Sequence, residues 1–497
     1  MTDAIIIGGG VNGLTAASYL ARAGKKVTVL EARDDVGGIA STIEFAPGFR
    51  APIGPENAGL LLPRVVQELE LERHGLELLD LDALAFAPSR DGKGLLLSKD
   101  VSRSVEEIRK LSARDAEAYP RFVALVDAMA EFLKPLLAKP APTPQIETGA
   151  DLFELLKLGW GFKQLGTRTM HELLRVLPMA IHDFLSEWFE NDRLKAALAA
   201  PALEGVCLGP RSAGTSALFL YQRLGPRRAA RGLPGSLRKS IEARGGTVRT
   251  GARVARILVQ DERAVGVALE SGEEMRASLV LSGLAPRNTF RELVSPTDLP
   301  PSFVSEIDRI RYRGVTAKLF LAVSDVPDFH RAPAYVAESL DDLERAYDAS
   351  KYGRFAERPS LAVSIPSLYD PSLAPAGKHV LTVIAQTVPY RHEDSKDAVT
   401  RAILDRLAEV APKVKSSILH QHLLTPADYE RELGLPEGNW HQGEMALDQM
   451  FFMRPVPGWS RHDTPIDGLY LAGAATHPGG GITGACGLNA ASRALKD

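Results

Sequence analysis

The chain has 497 residues, of which 45% are hydrophobic and 24% are charged, a mix typical of a folded, enzyme-sized protein rather than a disordered or fibrous one. The formal net charge of -3 provides no broad basic field, so we expect a small-molecule partner and no nucleic acid. Cys207 and Cys486 form no CxxC pair and the sequence contains no metal-ligand cluster, which predicts a reducing compartment and no bound metal.

The first residues lead directly into the apolar run Ala4–Ile7, which leaves no room for a signal peptide. No apolar run approaches the roughly 18 residues of a membrane-spanning helix. We therefore expect a cytoplasmic protein or one that lies on a membrane surface.

The first glycine-rich turn follows this run and carries Gly8, Gly10 and Gly13 as GxGxxG at a strand-to-helix junction. In a dinucleotide-binding turn the first glycine permits the tight turn, and the second lets a pyrophosphate approach the backbone. The third lets the helix lie close to the strand, and the free N–H groups of the helix bind the phosphates. The turn therefore predicts a bound dinucleotide.

The second strand, Val27–Leu30, ends at Glu31, which is expected to accept the ribose hydroxyls of an adenosine. Gly37 and Gly38 complete the spacing ExxxxxGG, which FAD proteins of the glutathione-reductase-like class carry and nicotinamide enzymes do not need. The sequence predicts FAD rather than NAD, and non-covalent, because no Cys or His lies in a recognisable attachment motif. The predicted FAD contacts of this segment are Glu31, Ala32, Arg33, Gly37, Gly38, Ile39 and Ala40.

The middle of the chain alternates between two kinds of pattern. A hairpin is predicted with its turn at Asp91-Gly92, and residues 151–200 are predicted to be mostly helical. The FAD pattern returns between 232 and 283, where the backbone of Val254 is expected to contact the adenine. Four prolines predict a stiff linker before the helical segment: Pro135, Pro140, Pro142 and Pro144.

These alternations predict an α/β fold in which the chain crosses between two domains several times. The first is a glutathione-reductase-like Rossmann FAD-binding domain, and the second is an α+β substrate or lid domain of mixed sheet and helix. The predicted FAD-binding domain comprises 1–65, 228–300 and 440–497, and the substrate domain comprises 66–227 and 301–439.

A second glycine-rich turn lies near the end, where "LYLAGAATHPGGGITGACGLNAA" repeats the order strand, turn, Ala-rich helix. The helix is predicted to begin near Ile482. Its N-terminal dipole and N–H groups would stabilise the negative charge that a reduced flavin carries near N1 and O2. The predicted contacts here are Gly473, Ala474, Gly481, Ile482 and Thr483.

These blocks resemble the phytoene desaturase and carotenoid isomerase group of flavoproteins. The segment 438–459 resembles still more closely the branch called pyridine nucleotide-disulfide oxidoreductase domain-containing protein 2. The resemblance covers most of the chain and is dense only in these blocks. It implies hydride transfer between flavin N5 and a carbon of an apolar, polyene or isoprenoid substrate, as desaturation, saturation or isomerisation of C=C bonds.

The same resemblance identifies further positions and two departures. "GFRAPIGPENAG" is similar to the desaturase FDxGP near the flavin ring and retains Gly54 and Pro55, with Pro52 where the family usually has Asp. Gln442 stands where that branch usually has His, and His441 lies one position early. A catalytic role for the family's His therefore does not carry over directly.

Two side chains are predicted to be catalytic, each with a structural alternative. His477 would relay a proton near the ring or act as a structural hydrogen-bonding group. Arg454 would offset the charge of the reduced flavin or bind an anionic group of the substrate, or else form a structural salt bridge. Glu444 and Asp448 would act as a base or play ordinary hydrogen-bonding roles.

Two other functions share these features. A flavin amine oxidase would have the same fold and FAD, but it usually reads GExT where this chain has "GAAT" at 473–476. A flavin-binding interaction protein without turnover is the other alternative. The stretch from Gly232 to Gly283 contains no second GxGxxG after a strand, so a nicotinamide is expected to be a poor reductant. The sequence does not define an oligomeric state.

The segment 152–175 has the composition of a helix at a membrane interface. It combines Phe153 and Trp160 with Lys157 and Lys163. Peripheral membrane contact and internal packing are both open for it.

Overall fold

A computed structural model describes residues 2–141, 149–330, 332–392 and 394–497. The strands are β1 (Ala4–Ile7), β2 (Val27–Leu30), β3 (Thr42–Ala46), β4 (Phe49–Pro52), β5 (Glu77–Asp80), β6 (Ala83–Ala87), β7 (Leu95–Ser98), β8 (Arg228–Arg231), β9 (Thr247–Arg249), β10 (Val254–Gln260), β11 (Arg263–Leu269), β12 (Glu274–Arg276), β13 (Leu279–Ser282), β14 (Ala317–Val323), β15 (Ala334–Val336), β16 (Leu361–Ser364), β17 (His379–Ala385), β18 (Ile418–Leu424) and β19 (Leu469–Leu471).

The helices are α1 (Val11–Arg22), α2 (Pro63–Glu68), α3 (Val101–Arg109), α4 (Ala113–Leu133), α5 (Gly149–Gln164), α6 (Thr167–Val176), α7 (Ile181–Trp188), α8 (Asp192–Ala199), α9 (Thr215–Gln222), α10 (Leu233–Glu242), α11 (Pro286–Asn288), α12 (Pro301–Asp308), α13 (Leu340–Lys351), α14 (Lys396–Ala408), α15 (Val414–Ser417), α16 (Pro426–Leu433) and α17 (Ala485–Ala494).

A parallel five-stranded sheet forms the first domain, in the order β19-β13-β1-β2-β9. Strand β1 is buried on both faces, which is why it reads as a continuous apolar run. Ala4 and Ile6 face the core shared with α1 and α17, whereas Ile5 and Ile7 face a core shared with the antiparallel strands β10-β11-β12. The predicted Rossmann fold is confirmed.

The second domain contains a mixed seven-stranded sheet in the order β18-β14-β17-β16-β15-β6-β7. Strand β14, next to the edge strand β18, is buried along its whole length, and β15 pairs in parallel with β6. Helices α3 and α8, from the region between β7 and β8, pack against β7 and β6. The α/β architecture with a second domain of mixed sheet and helix is therefore confirmed.

Local predictions in this domain are partly confirmed. Strands β6 and β7 pair as the predicted hairpin, with Gly92 at a φ of +75° in the loop that joins them. Helices α5 to α8 occupy most of the segment predicted to be helical. Of the predicted proline linker, Pro135 lies in a short 3-10 helix, whereas Pro142 and Pro144 fall outside the described residues. Within the described ranges no helix has both the length and the apolar character needed to cross a membrane.

The last helix begins at Ala485 rather than near Ile482, so the predicted start was wrong. Gly481 has a φ of +93° and Gly484 a φ of +67°, and both values lie outside the helical region. The glycine-rich turn therefore extends three residues further along the chain before the helix starts.

Candidate functional site

The first glycine turn has the geometry that a bound pyrophosphate requires. Gly8 has a φ of +93°, and a Cβ on Gly13 would lie 2.2 Å from the carbonyl oxygen of Gly8, so α1 packs directly on the turn. A Cβ on Gly10 would meet no heavy atom within 4 Å. Gly10 is the residue that immediately precedes α1. The open space therefore lies in front of the free N–H groups of the helix, where an anion is stabilised.

Glu31 follows β2, and its carboxylate joins the first glycine turn to the residues after β2. It accepts hydrogen bonds from Gly9 N at 2.6 Å and Arg33 N at 2.9 Å. Gly37 N donates to Gly9 O at 2.8 Å, and a Cβ on Gly38 would lie 3.2 Å from Gly10 Cα. The ExxxxxGG spacing thus has a packing reason that sequence reasoning missed, because its second glycine pair lies on the first turn.

Other predicted contacts lie around this turn. Gly251 N donates to Arg33 O at 2.9 Å and Ala252 N to Glu31 O at 2.8 Å, which brings the start of β10 at Val254 beside Glu31. Arg33 Nη1 donates to Ser41 Oγ at 3.3 Å. Ala32 and Arg33 are partly exposed, as an adenosine site at the end of β2 would need. The structure therefore brings the predicted adenosine residues together.

The second glycine turn packs on His441 and Gln442. These residues precede two short 3-10 helices, Leu447–Gln449 and Phe451–Met453. A Cβ on Gly473 would lie 2.4 Å from Gln442 Oε1, and a Cβ on Gly480 would lie 1.9 Å from His441 Nδ1. The side chains of Gln442 and His441 therefore occupy the space that a side chain at either glycine would need. Sequence reasoning had treated these two residues only as a departure from the family motif.

The rest of this turn is anchored to the segment before α2. Leu62 N donates to Thr483 O at 3.1 Å, and Thr483 Oγ1 accepts from Ala485 N at 3.1 Å. A Cβ on Gly481 would lie 3.1 Å from Leu60 Cδ1. Thr483 thus satisfies one N–H at the start of α17.

Arg454 is 2% exposed and is held by carbonyl oxygens. Its guanidinium donates to Ala474 O, His441 O and Gly443 O, and also to Glu444 O and Gln449 O, at distances between 2.7 and 3.2 Å. Burial lowers its pKa to about 10. No carboxylate of the described residues pairs with it, so the structure does not contain the salt bridge considered as its alternative role.

His477 is also buried, and its Nε2 lies 3.0 Å from Leu136 O. Because a carbonyl oxygen can only accept, Nε2 carries the proton. The imidazole therefore donates to the short 3-10 helix Lys134–Leu136 that follows α4. Burial, with a smaller contribution from the charge of Arg454, lowers its pKa to about 4. This placement matches the structural hydrogen-bonding alternative, and the structure does not bring His477 to the cavity described below.

Glu444 and Asp448 form ion pairs rather than an exposed base. Glu444, 4% exposed, binds Arg313 and accepts from Arg311 Nε at 3.1 Å. Asp448 accepts from Arg311 Nη2 at 2.7 Å. The ordinary hydrogen-bonding roles considered for both residues are therefore the ones observed.

Sequence reasoning missed a buried lysine. Lys318, the second residue of β14, is 0% exposed and donates to Gly54 O at 2.7 Å, Pro52 O at 2.9 Å and Glu56 Oε1 at 2.9 Å. It thereby fixes the segment predicted to lie near the flavin ring. The available signal was a single charge within the apolar run "AKLFLAV", since lysine is almost never fully buried without a partner.

A cavity of about 170 Å³ lies between the two domains. Ala40, Pro55 and Ile482, all predicted to contact the flavin, line one side. The sheet of the second domain lines the other, with Ala362 and Ile384 among its residues. Ile39 does not line the cavity but packs against Gly54, where an added Cβ would lie 2.4 Å from Ile39 Cγ1. Two of the predicted ring-end residues, Pro55 and Ile482, thus line one mostly apolar space.

Comparison with known families identifies the class of the chain. The model described as flavin containing amine oxidoreductase matches residues 12–495, nearly the whole length. The chain belongs to the flavin-containing amine oxidoreductase family. It is an FAD-dependent oxidoreductase, and the open space at Gly10 and the turn around it fit that cofactor.

Individual relatives agree with this family. The chain is 34% identical to pyridine nucleotide-disulfide oxidoreductase domain-containing protein 2 of Rattus norvegicus, over 100% of this chain and 93% of the relative. It is 25% identical to the lycopene-forming phytoene desaturase of Pantoea ananas, over 100% and 99%. An oxidoreductase of known structure from Methanosarcina mazei superposes with a TM-score of 0.63 at 16% identity, over the full length of both chains. The resemblance inferred from the sequence motifs is confirmed.

Proposed function

We propose that this flavin amine oxidoreductase family member transfers hydride between flavin N5 and a carbon of an apolar substrate, as desaturation, saturation or isomerisation of a C=C bond. The observation that carries the proposal is the mostly apolar cavity between Ile482 and Ile384, which lies between the predicted ring contacts and the second sheet. The similarity to a phytoene desaturase supports an apolar, polyene or isoprenoid ligand.

The residues proposed to hold FAD form two groups. The adenosine and pyrophosphate end would lie on the first turn, and the ring end would lie on the second turn and on the segment fixed by Lys318. When bound, FAD supplies the hydride donor or acceptor. The proposed contacts are Gly8, Gly10, Gly13, Glu31, Ala32, Arg33, Gly37, Gly38, Ile39, Ala40, Gly54, Pro55, Val254, Gly473, Ala474, Gly481, Ile482 and Thr483.

The chain's own side chains would support this reaction by position and charge. The apolar walls exclude water from the reacting carbon and hold an extended apolar ligand by surface burial. Arg454 places a buried positive charge beside Ala474, where it would stabilise negative charge at the ring end. Because the remaining donors of Arg454 bind carbonyls, we propose it as a positioning residue that acts through the turn.

The test is anaerobic mixing of the FAD-loaded protein with polyene and isoprenoid hydrocarbons and with the corresponding carboxylic acids, with flavin bleaching as the readout. Ile384→Phe should narrow the cavity and slow bleaching while the FAD content is retained, and Ile384→Val is the matched control that keeps the space. A lipophilic extract of the purified protein, analysed by mass spectrometry, supplies further candidates. Bleaching by amines alone would support the amine oxidase alternative, and bleaching by neither class would support a flavin-binding protein without turnover.

Several linked expectations stay part of this proposal. FAD should be released by acid precipitation, as a non-covalent cofactor is. NADPH should bleach the flavin slowly, so that oxygen, a quinone or a redox-neutral cycle completes the reaction. We also propose the domain division at 1–65, 228–300 and 440–497 against 66–227 and 301–439, and a cytoplasmic or membrane-surface location.

Helix α5 is the proposed membrane contact. Leu152, Phe153, Leu156 and Trp160 are between 46% and 63% exposed, which is unusual for large apolar side chains. Phe153, Leu156 and Trp160 recur at helical spacing and so share one face, and Lys163 lies over the Trp160 ring. The wild-type protein should co-sediment with anionic liposomes at low salt and Trp160→Ser should not. Equal sedimentation of both would count against the contact.

A further inference from the structure

Arg227 lies just before β8, at the junction of two cavities. One is the cavity of about 170 Å³ at the predicted flavin ring, and the other is a larger one of about 480 Å³ that opens beside α4. Asn57, Leu81 and Arg227 line both. The second cavity is lined largely by apolar residues, including Phe122 and Phe219. A ligand long enough to extend from one cavity into the other would therefore pass the guanidinium.

The guanidinium of Arg227 makes little use of its donors. Among the described residues its one hydrogen bond runs from Nε to Leu84 O at 3.4 Å, and no carboxylate lies within ion-pair distance. Its Cζ lies 5.7 Å from the ring centroid of Tyr335. The arginines of the following strand β8 are paired, since Arg228 Nε donates to Asp80 Oδ1 at 2.5 Å and Arg231 binds Glu77. Arg227 is thus a cation in a cavity wall with free donor capacity.

Tyr335 provides a second, independent observation at the same place. It lines the ring-side cavity and is 2% exposed, yet its hydroxyl has no hydrogen-bond partner in the described part of the chain. A buried hydroxyl without a partner destabilises the folded protein. A ligand in the cavity could complete this hydrogen bond.

Three acidic residues line this cavity as well, and none of them neutralises Arg227 by direct contact. Asp370 Oδ1 lies 3.6 Å from Arg231 Nη1, so its charge is paired there. Glu56 accepts from Lys318 Nζ at 2.9 Å and from Thr382 Oγ1 at 2.6 Å, so its charge is already paired. Burial raises the pKa of Glu204 above its ordinary value, which favours the neutral carboxyl. A neutral Glu204 can donate a hydrogen bond, whereas an ionised Glu204 would repel a bound carboxylate.

We propose that Arg227 and Tyr335 form a carboxylate-binding subsite, so that the substrate is an amphipathic acid whose apolar chain extends into the cavities. The proposal rests on the proposed function and specifies its substrate class. A monoanionic carboxylate fits the flat, forked donors of Arg227, and the hydroxyl of Tyr335 would donate to it. A hydrocarbon without a polar group would leave both donors unpaired.

The experiment measures binding to the FAD-loaded protein by calorimetry, with dodecanoate, dodecanol, dodecylamine and dodecyl phosphate as probes. Dodecanoate should bind about 10- to 100-fold more tightly than dodecanol, since a hydrogen-bonded charged pair is gained. Arg227→Met should remove this advantage and leave dodecanol binding unchanged, and Tyr335→Phe should remove part of it. Arg228→Met is the matched control, because its charge is already paired, and it should bind dodecanoate as the wild type does.

Three outcomes would overturn the subsite. These are equal binding of dodecanoate and dodecanol to the wild type, tighter binding of dodecylamine or dodecyl phosphate than of dodecanoate, and equal loss of both acid and alcohol binding in Arg227→Met. If Arg227→Met does not fold, the wild-type comparison and Arg227→Lys, which keeps the charge without the fork, decide. Because the readout is binding, it stands or fails separately from flavin bleaching, which tests the proposed function.

Discussion

Gly10→Ala should separate cofactor binding from folding. Gly10 has φ and ψ of -70° and 167°, which alanine adopts without strain, and its Cβ would meet no protein atom within 4 Å. Alanine is a poorer residue than glycine at the position before a helix, which lowers the stability. Replacing a glycine also reduces the conformational entropy of the unfolded chain, which raises the stability by about 0.4–1 kcal/mol. The two effects oppose each other, so the free energy of unfolding of the apoprotein should change by less than about 1 kcal/mol.

The cofactor should respond far more strongly, because the added methyl group occupies the space in front of the N–H groups of α1. Losing one or two hydrogen bonds to a charged phosphate costs about 1.5–3 kcal/mol each, and every 1.4 kcal/mol is tenfold in affinity. We therefore expect FAD to bind roughly 100-fold more weakly.

The assay titrates FAD into apoprotein by fluorescence quenching and measures urea unfolding of the same apoprotein. Gly159→Ala is the matched control, since Gly159 is an exposed position in α5 with equally open space, and it should leave FAD affinity unchanged. Gly13→Ala should lose both stability and FAD, because its Cβ would lie 2.2 Å from a backbone oxygen. Wild-type FAD affinity in Gly10→Ala would refute the placement of the pyrophosphate.

Three further predictions follow from buried groups. Burial lowers the pKa values of His441, His462 and His477 from 6.5 to about 4. The folded protein therefore favours the neutral rings, and this contribution to stability is fully present above pH 6.5. It is lost as the pH falls towards 4, on the order of 2 kcal/mol for each histidine by pH 5. Urea unfolding against pH should show this loss, and His462→Asn should reduce it; an unchanged pH profile in that variant would contradict the assignment. Gly480→Ala should destabilise the protein by about 1–3 kcal/mol, because its Cβ would meet the ring of His441. Adding His441→Ala should restore part of the lost stability. Strictly additive effects in the double mutant would mean that the two positions do not touch. Arg454→Lys should cost about 2–4 kcal/mol in thermal unfolding, since an ammonium group cannot serve all five carbonyl oxygens, and a loss below about 1 kcal/mol would show that these contacts are replaceable.

The dinucleotide-binding unit could be predicted from the sequence because its signal is local. Strand, glycine turn, helix and Glu31 follow one another within a short stretch, and each residue type is required by the backbone geometry at its own position. The start of the last helix could not be placed as well. Gly481 and Gly484 both adopt positive φ values there, and a glycine does not reveal from sequence alone whether it lies inside a helix or before it.

The second domain and much of the site depend on contacts between distant residues. Strand β6 pairs with β15 across roughly 250 residues, and no periodicity of either strand encodes that partner. The packing of His441 on Gly480 and the bonds of Lys318 to the Gly54 segment are likewise set by tertiary structure. Arg227 and Tyr335 are far apart in sequence, so their shared cavity had no sequence signal.

The order of strands in the five-stranded sheet has a consequence for biosynthesis. Strand β19 forms one edge of that sheet and comes from residues 469–471, whereas its neighbour β13 ends at residue 282. During translation the edge of β13 therefore stays without its native partner while nearly two hundred further residues are made. An unpaired parallel edge can pair with another nascent chain, so β13 is an expected site of misassembly until β19 leaves the ribosome.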